Sequence, residues 1–284
     1  MDTSSAIQRV WMITGASRGI GAEIAAAALA NGDVVVATAR KSSVVSERLG
    51  EQANLLAIDL DVTDESSAQR AVEEAVKRFG RIDVLVNNAG YGLKGAVEEA
   101  SAEEVRQIFE TNVMGLLHVT RAALPQLRKQ RSGHVINVSS LGGYRVGAGF
   151  GIYGSTKFAV EGLSEALHAE LTPLGVHVTV IEPGFFRTDF LDSSSVVESP
   201  TIVADYAETA GKVRSSAAAY SGRQPGDPKR LAQALLVLVA AEHPPLRLQL
   251  GSDAIARIRE KNAFVEQELK QWETLSRSTD FPAA

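Results

Sequence analysis

Tyr153 and Lys157 are the residues whose types and spacing point most directly to chemistry. Four residues apart on a predicted helix, they share a face. A free phenol has a pKa of about 10, too high for efficient proton exchange near neutrality. A nearby ammonium stabilises the phenolate and lowers that value, while burial of the phenolate opposes the shift. The plain alternative is a core tyrosine beside a surface lysine that pairs with Glu161, again four residues on. Ser140 favours the chemical reading. It ends a predicted strand thirteen residues before Tyr153, where a hydroxyl can donate to a carbonyl oxygen as that oxygen gains negative charge. Asn112 sits within the apolar pattern of a long helix, where a polar amide needs a partner.

A second constellation lies near the start of the chain. The apolar run Val10 to Ile13 reaches Thr14-Gly15-Ala16-Ser17-Arg18-Gly19-Ile20-Gly21 and continues as the alanine-rich stretch Ala22 to Ala30. This reads as strand, turn and helix. Gly15 permits a tight turn, Gly19 lets a ligand approach the backbone, and Gly21 lets the helix pack close to its strand. Unpaired N–H groups at the helix start suit a pyrophosphate. The same residues also match Gly-x-Ser-x-Gly, the nucleophile elbow of hydrolases, with Ser17 as nucleophile. That elbow needs sheet and an oxyanion loop before it, and only about ten residues precede it here.

The elements that must position these groups follow in alternation. Strands are predicted over Asp33 to Thr38, Leu55 to Ile58, Val84 to Val86, Val135 to Val138, Val178 to Ile181 and Leu246 to Leu250. Between them, Thr63 can cap a helix to about Phe79, and Ser101 with Glu104 forms a capping box ahead of a long helix carrying Asn112. Tyr153 to Leu171 is a helix that must stop before Pro173. Strands alternating with helices imply an α/β fold, a doubly wound parallel sheet of Rossmann type in three αβα layers and one domain spanning 1–284. Ligands on such sheets bind beyond the strand carboxyl ends, where Thr14, Thr38, Asp61, Asn88, Ser140 and Pro183 all fall. From Phe185 to Gly226 the pattern fails, and Phe185, Phe186, Phe190 and Leu191 suggest a lid over an apolar substrate. A charged helix over about 253–275 follows.

Composition narrows the function classes. Hydrophobic residues make up 45% and charged residues 22%, as in globular proteins. A net charge of −5 disfavours nucleic acid. The absence of cysteine excludes disulfides and thiolate metal sites, and no metal site is expected. Met1 to Arg9 lacks the apolar core of a signal peptide, and the most apolar stretch, Leu231 to Ala241, is too short to cross a bilayer. A cytoplasmic protein without a membrane partner is expected.

Taken together, Thr14 to Gly21, Asn87-Asn88-Ala89-Gly90, Asn112, Ser140, Tyr153-Gly-Ser-Thr-Lys157 and Pro183-Gly184-Phe185-Phe186-Arg187-Thr188 resemble the short-chain dehydrogenase/reductase family. The resemblance is strongest over residues 10–190. It implies Tyr153 as general acid/base, Ser140 orienting a carbonyl, and Lys157 holding the nicotinamide ribose while lowering the phenol's pKa. Asn112 would anchor a proton-relay water. Implied cofactor contacts are Gly15, Ser17, Arg18, Gly19, Ile20 and Gly21, then Asp61 and Val62 at adenine. Asn88, Ala89 and Gly90 would line the ribose, with Pro183, Gly184, Phe186 and Thr188 near the nicotinamide. Substrate would meet Ser140, Leu141, Tyr153, Phe185, Phe190 and Leu191. The stretches Tyr91 to Ala96 and Leu174 to Thr179 look most like the 17β-hydroxysteroid and retinol dehydrogenase branch, suggesting a bulky apolar ketone or alcohol.

The family's acidic ribose-binding position aligns with Thr38, so its carboxylate is missing. Arg40 and Arg18 stand where guanidinium groups can bind a 2′-phosphate, so NADP(H) is expected over NAD(H). The family also implies a homodimer or homotetramer. Two rivals remain: a cofactor-sensing regulator without turnover, which has no need of Ser140, Tyr153 and Lys157 together, and a sugar-nucleotide epimerase, whose usual Gly-x-x-Gly-x-x-Gly fingerprint is missing.

Overall fold

A computed structural model of the chain describes residues 8–192, 195–220 and 222–281. The apolar runs become strands because each can be buried on both faces. They are β1 (Val10–Ile13), β2 (Val34–Ala39), β3 (Leu55–Asp59), β4 (Val84–Asn87), a short β5 (Gly92–Lys94), β6 (Gly133–Val138), β7 (Val176–Pro183), a short β8 (Val196–Glu198) and β9 (Arg247–Leu250). Seven of them form one parallel sheet in the order β3-β2-β1-β4-β6-β7-β9. The order reverses direction at β1, between β2 and β4, so the ends of β1 and β4 open into one crevice.

The helices are α1 (Gly19–Ala30), α2 (Ser42–Leu49), α3 (Glu65–Phe79), α4 (Ala102–Phe109), α5 (Gly115–Gln130), α6 (Gly151–Leu171), α7 (Lys212–Tyr220), α8 (Pro228–Ala240) and α9 (Ser252–Arg277). Strand alternation divides the core. Trp11 and Ile13 face Ile24, Leu231 and Leu235 of α1 and α8, whereas Met12 and Val36 face Val72, Val119, Leu127 and Leu167 of α3, α5 and α6. Helices therefore cover both faces of the sheet, as the alternating pattern predicts. No helix among the described residues is long and apolar enough to cross a membrane.

Three local expectations shift. Asp64 rather than Thr63 caps α3, accepting from the Ser66 N–H, because Thr63 is held by Asp61 Oδ1 through its N–H (3.0 Å) and hydroxyl (2.7 Å). The long helix carrying Asn112 is split by a π turn at Glu110–Met114, although the Ser101–Glu104 capping box forms as read. The stretch 185–226 is not patternless. β8 pairs with β5, α7 follows, and the buried Glu99 carboxylate accepts from the Val203 N–H (2.9 Å) and pairs with Arg214. Ser193 and Ser194, and the side chain of Leu191, lie outside the described residues.

Candidate active site

Beyond the carboxyl end of β1, the glycine turn is laced to the loop after β4. The Thr14 hydroxyl accepts from the N–H groups of Asn88 (2.9 Å) and Ala89 (3.0 Å). In return, Asn88 Nδ2 donates to the carbonyls of Thr14 (2.9 Å) and Gly15 (3.1 Å). Gly15 and Gly19 adopt φ of 66° and 56°, the left-handed region that a side chain resists. Gly21 serves a close approach, though not to its strand: a Cβ there would overlap Asn88 Nδ2 and come within 2.5 Å of the Gly15 oxygen. A Cβ built on Gly19 would meet only Thr188 Cβ, at 3.9 Å, so the segment after β7 crosses over the turn and leaves the backbone open. With the N–H groups of α1 pointing into that opening, the turn is a cradle that fits a pyrophosphate.

The flanking groups separate into open and closed ones. Arg18, at the start of α1, and Arg40, just past β2, are exposed, while Ser17 and Ile20 are half-buried. Thr38 is wholly buried and its hydroxyl donates to the Ile13 carbonyl (3.2 Å), because strand alternation turns it into the sheet layer rather than toward the edge. Asp61 is exposed and gives one carboxylate oxygen, Oδ1, to Thr63, while Val62 packs on Gly115 and its carbonyl takes the His118 Nδ1 contact (3.0 Å). At the far side, the Gly184 N–H donates to the Leu250 carbonyl (2.8 Å), extending the ladder past Pro183. Phe186 packs into the α1 and α8 side of the core, and the Thr188 hydroxyl accepts from the Phe190 N–H (3.2 Å). Among the described residues no histidine bonds Ser17, so the hydrolase reading lacks its base.

Ser140, Tyr153 and Lys157 converge. Ser140 leaves β6 in an extended conformation, accepts from the Gly142 N–H (3.0 Å), and sits near enough to the Tyr153 phenol to favour its ionised form. Lys157 reaches past the ring, its Nζ 5.9 Å from the ring centroid, and donates to the Val138 carbonyl (2.8 Å). Both Tyr153 and Lys157 are buried. Burial pushes the phenol up to about 12, opposed by the neighbouring Ser140 hydroxyl. Burial likewise pulls the ammonium down to about 8, opposed by the Glu161 carboxylate. Asn112 lies in the π turn with its amide committed: Oδ1 accepts from the Tyr91 N–H (3.0 Å), and Nδ2 donates to the Tyr91 carbonyl (2.9 Å) and Thr156 Oγ1 (3.1 Å). It thereby ties α5 to α6 and to the loop holding Gly90, where a Cβ would stand 3.0 Å from Asn112 Oδ1 and 3.8 Å from Lys157 Nζ.

An apolar wall faces the phenol. The Tyr153 ring lies 5.8 Å from the Phe190 ring and 6.2 Å from that of Phe150, clustered with Leu93, Ile108, Tyr91 and Ile152. Phe190 stands where the sequence places it; Leu93 and Tyr91 reach the site through tertiary packing, while Phe150, the N-cap of α6, lies three residues before Tyr153, a local spacing that could have found it. Leu141 turns the other way, into a cluster with Ala254 and Ile258 at the start of α9. Phe185 stands at the exit of β7, its N–H donating to Asp253 Oδ2 (2.8 Å).

Behind Lys157 lies a charge cluster that the sequence does not announce. Arg247 contacts Glu161 (3.2 Å), Glu165 and Glu182 (3.6 Å), and Gln249 donates to Glu182 (3.2 Å). Glu161 Oε1 and Glu182 Oε1 are buried with no hydrogen-bond partner among the described residues. Burial raises the Glu161 carboxyl to about 7, helped by the neighbouring Glu182.

Comparison with known proteins agrees with this geometry. Residues 9–198 match the family model described as short chain dehydrogenase. The chain is 41% identical over 271 residues to oxidoreductase BOA17 of Botryotinia fuckeliana, covering 94% of this chain and 98% of that one. It is 38% identical over 244 residues to a 3-ketodihydrosphingosine reductase of Bacteroides thetaiotaomicron, covering 86% and 88%. Among solved structures, a short-chain dehydrogenase from Streptomyces avermitilis superposes with a TM-score of 0.90 at 42% identity, covering 98% of this chain and 100% of that one. A Brucella melitensis 3-ketoacyl-(acyl-carrier-protein) reductase complexed with NADH gives 0.72 at 28% identity over 86% and 97%. ElxO with NADP bound gives 0.73 at 26% identity over 88% and 100%.

Proposed function

The chain belongs to the short-chain dehydrogenase family of oxidoreductases, and we propose that it moves hydride between NADP(H) and a bulky apolar ketone or secondary alcohol. The observation that carries this reading is the buried Tyr153–Lys157 pair beside the half-buried Ser140, under an apolar wall and next to the glycine cradle. Gly15, Gly19, Asn88, Lys157 and the Pro183–Thr188 segment would hold the nicotinamide cofactor, which supplies the hydride. Ser140 positions the carbonyl oxygen. Tyr153 protonates it, and a phenol held protonated by burial suits that direction. Lys157 then balances the phenolate charge left behind. Phe190, Phe150 and Leu93 exclude water and favour an apolar substrate. A relative named for 3-ketodihydrosphingosine, a ketone with a long alkyl chain, accords with that wall.

Tyr153→Phe should keep cofactor affinity while ketone reduction falls at least about 100-fold, the low end for a lost general acid. Turnover near the native level would remove Tyr153 from the mechanism, and native NADPH binding without turnover on any apolar ketone would restore the regulator reading.

The preference for NADP rests on the exposed Arg18 and Arg40 at the ribose end of the crevice. Native kcat/KM should favour NADPH over NADH at least about tenfold, about 1.4 kcal/mol, and Arg18→Ala with Arg40→Ala should erase the difference. Equal native use of both cofactors would refute it. A homodimer or homotetramer is the expected assembly.

A further inference from the structure

α9 is seated on the body over its first half, where Tyr144 donates to Asn262 Oδ1 (2.6 Å) and Arg145 pairs with Glu260. Ala254 and Ile258 are buried with Leu141, but from Arg259 to the helix end at Arg277 the residues are exposed, apart from a half-buried Lys261. Beyond Asn262 the helix has no bond to the body among the described residues, and this projecting stretch runs roughly 22 Å at 1.5 Å per residue. It is not a polar tail. Val265, Leu269 and Trp272 continue the stripe begun by Ala254 and Ile258, at the three-, four- and seven-residue spacings of one helix face. Phe264 and Leu275 flank it. Leu269, Trp272 and Leu275 are 61%, 56% and 60% exposed. A helix owes most of its stability to packing of its apolar face, and contiguous exposed apolar surface marks an interaction site.

The charges choose the occupant. The near half of α9 carries Arg257, Arg259 and Lys261 against Asp253 and Glu260, whereas the far half carries Glu266, Glu268 and Glu273 against Lys270 and Arg277, so the near half is net basic and the far half net acidic, each by one charge. An anionic lipid surface calls for a polar face rich in lysine and arginine throughout. Halves of opposite sign call instead for the same helix reversed, which sets basic on acidic twice about a twofold axis. A groove stands ready beside it. Phe158 and Gly162 of α6 face Val265 and Leu269 of α9 across this groove. Nothing lies within 4 Å of where a Gly162 Cβ would be, so another helix can approach closely.

We propose that two copies of the chain pair through α9, antiparallel, with the Val265–Leu269–Trp272 stripe of each seated at the groove between α6 and α9 of the other. This names the surface for the homo-oligomer reading above and rests on that reading, not on the chemistry. Residues 252–277 lie beyond the part of the chain that matches the family model.

Sedimentation velocity on the full chain and on Val265→Asp/Leu269→Lys/Trp272→Asp tests it. The native mass should halve in the variant, with ketone reduction retained. Because the chain has no cysteine, a Val265→Cys variant carries a single thiol. A short bis-maleimide should join most of it into covalent dimers, and should leave Lys270→Cys, on the opposite helix face, largely unjoined. This second measurement stands even if the triple variant fails to fold. An oligomer whose mass the triple variant leaves unchanged overturns the α9 surface alone. A native chain of single-copy mass overturns the oligomer reading with it, as does one that instead sediments with phosphatidylglycerol vesicles. Equal joining at both cysteine positions also counts against the pairing.

Discussion

At Lys157 two forces meet. Burial drives the ammonium toward neutrality, to about 8, while the Glu161 carboxylate one helical turn on pulls the other way. If the charged form is needed to hold the ribose and balance the phenolate, kcat/KM for ketone reduction should fall as pH rises through about 8. Tyr153, pushed up to about 12, stays protonated across that window and adds no limb of its own. Glu161→Gln removes the charge that holds the lysine up, so the falling limb should move to lower pH. A pH profile between about 6 and 10 decides this; an unmoved limb would detach Glu161 from Lys157. Tyr153, Lys157 and Ser140 are legible in the sequence because their spacing is local to one helix and one strand end. Glu182 and Arg247 are not, because they meet Glu161 only across strands β7 and β9. Thr38 teaches a related lesson. Its alignment suggests a ribose contact, yet its side chain points into the sheet layer, so Thr38→Asp would bury a carboxylate rather than retune the cofactor.

Among the elements, the glycine turn and its partner loop behave as one part. Four hydrogen bonds join Thr14 and Gly15 to Asn88 and Ala89: two N–H groups donate to the Thr14 hydroxyl, and Asn88 Nδ2 donates to two carbonyls of the turn. Gly21→Ala should therefore disturb both the cradle and the loop after β4. We expect a loss of about 1–3 kcal/mol, typical of overpacking, with cofactor affinity falling further than stability alone explains. Urea unfolding and NADPH titration measure the two effects; native values for both would show that the close approach is dispensable. The strands of the main sheet are readable because buried parallel strands are continuous apolar runs, and the capping box at Ser101 is a local signature. The π turn at Asn112 and the β5–β8 pairing are not, since both depend on partners remote in the chain. The same holds for the segment after β7, whose anchor is Glu99, far upstream.

For the whole molecule, the seven-stranded sheet gathers its strand carboxyl ends at one edge, and the far half of α9 runs out from the body as an arm. The chain has two tryptophans, and the fold sends one to each place. Trp11 lies wholly inside β1, its indole Nε1 donating to Asp33 Oδ2 (3.0 Å), while Trp272 rides the arm. Optically the protein therefore contains two lamps in different surroundings. Indole emits to the blue in a dry core and to the red in water, so the spectrum separates into a signal from the body and one from the arm. On dilution the red component should grow and become quenchable by iodide as pairs of arms part. In Trp272→Phe the remaining emission should ignore both dilution and iodide, changing only when the sheet itself melts. A Trp272→Phe spectrum that still responds to dilution would mean that separating the copies loosens the core. On the proposed pairing, each molecule carries, without any attached dye, one light that reports whether it is folded and another that reports whether it is alone.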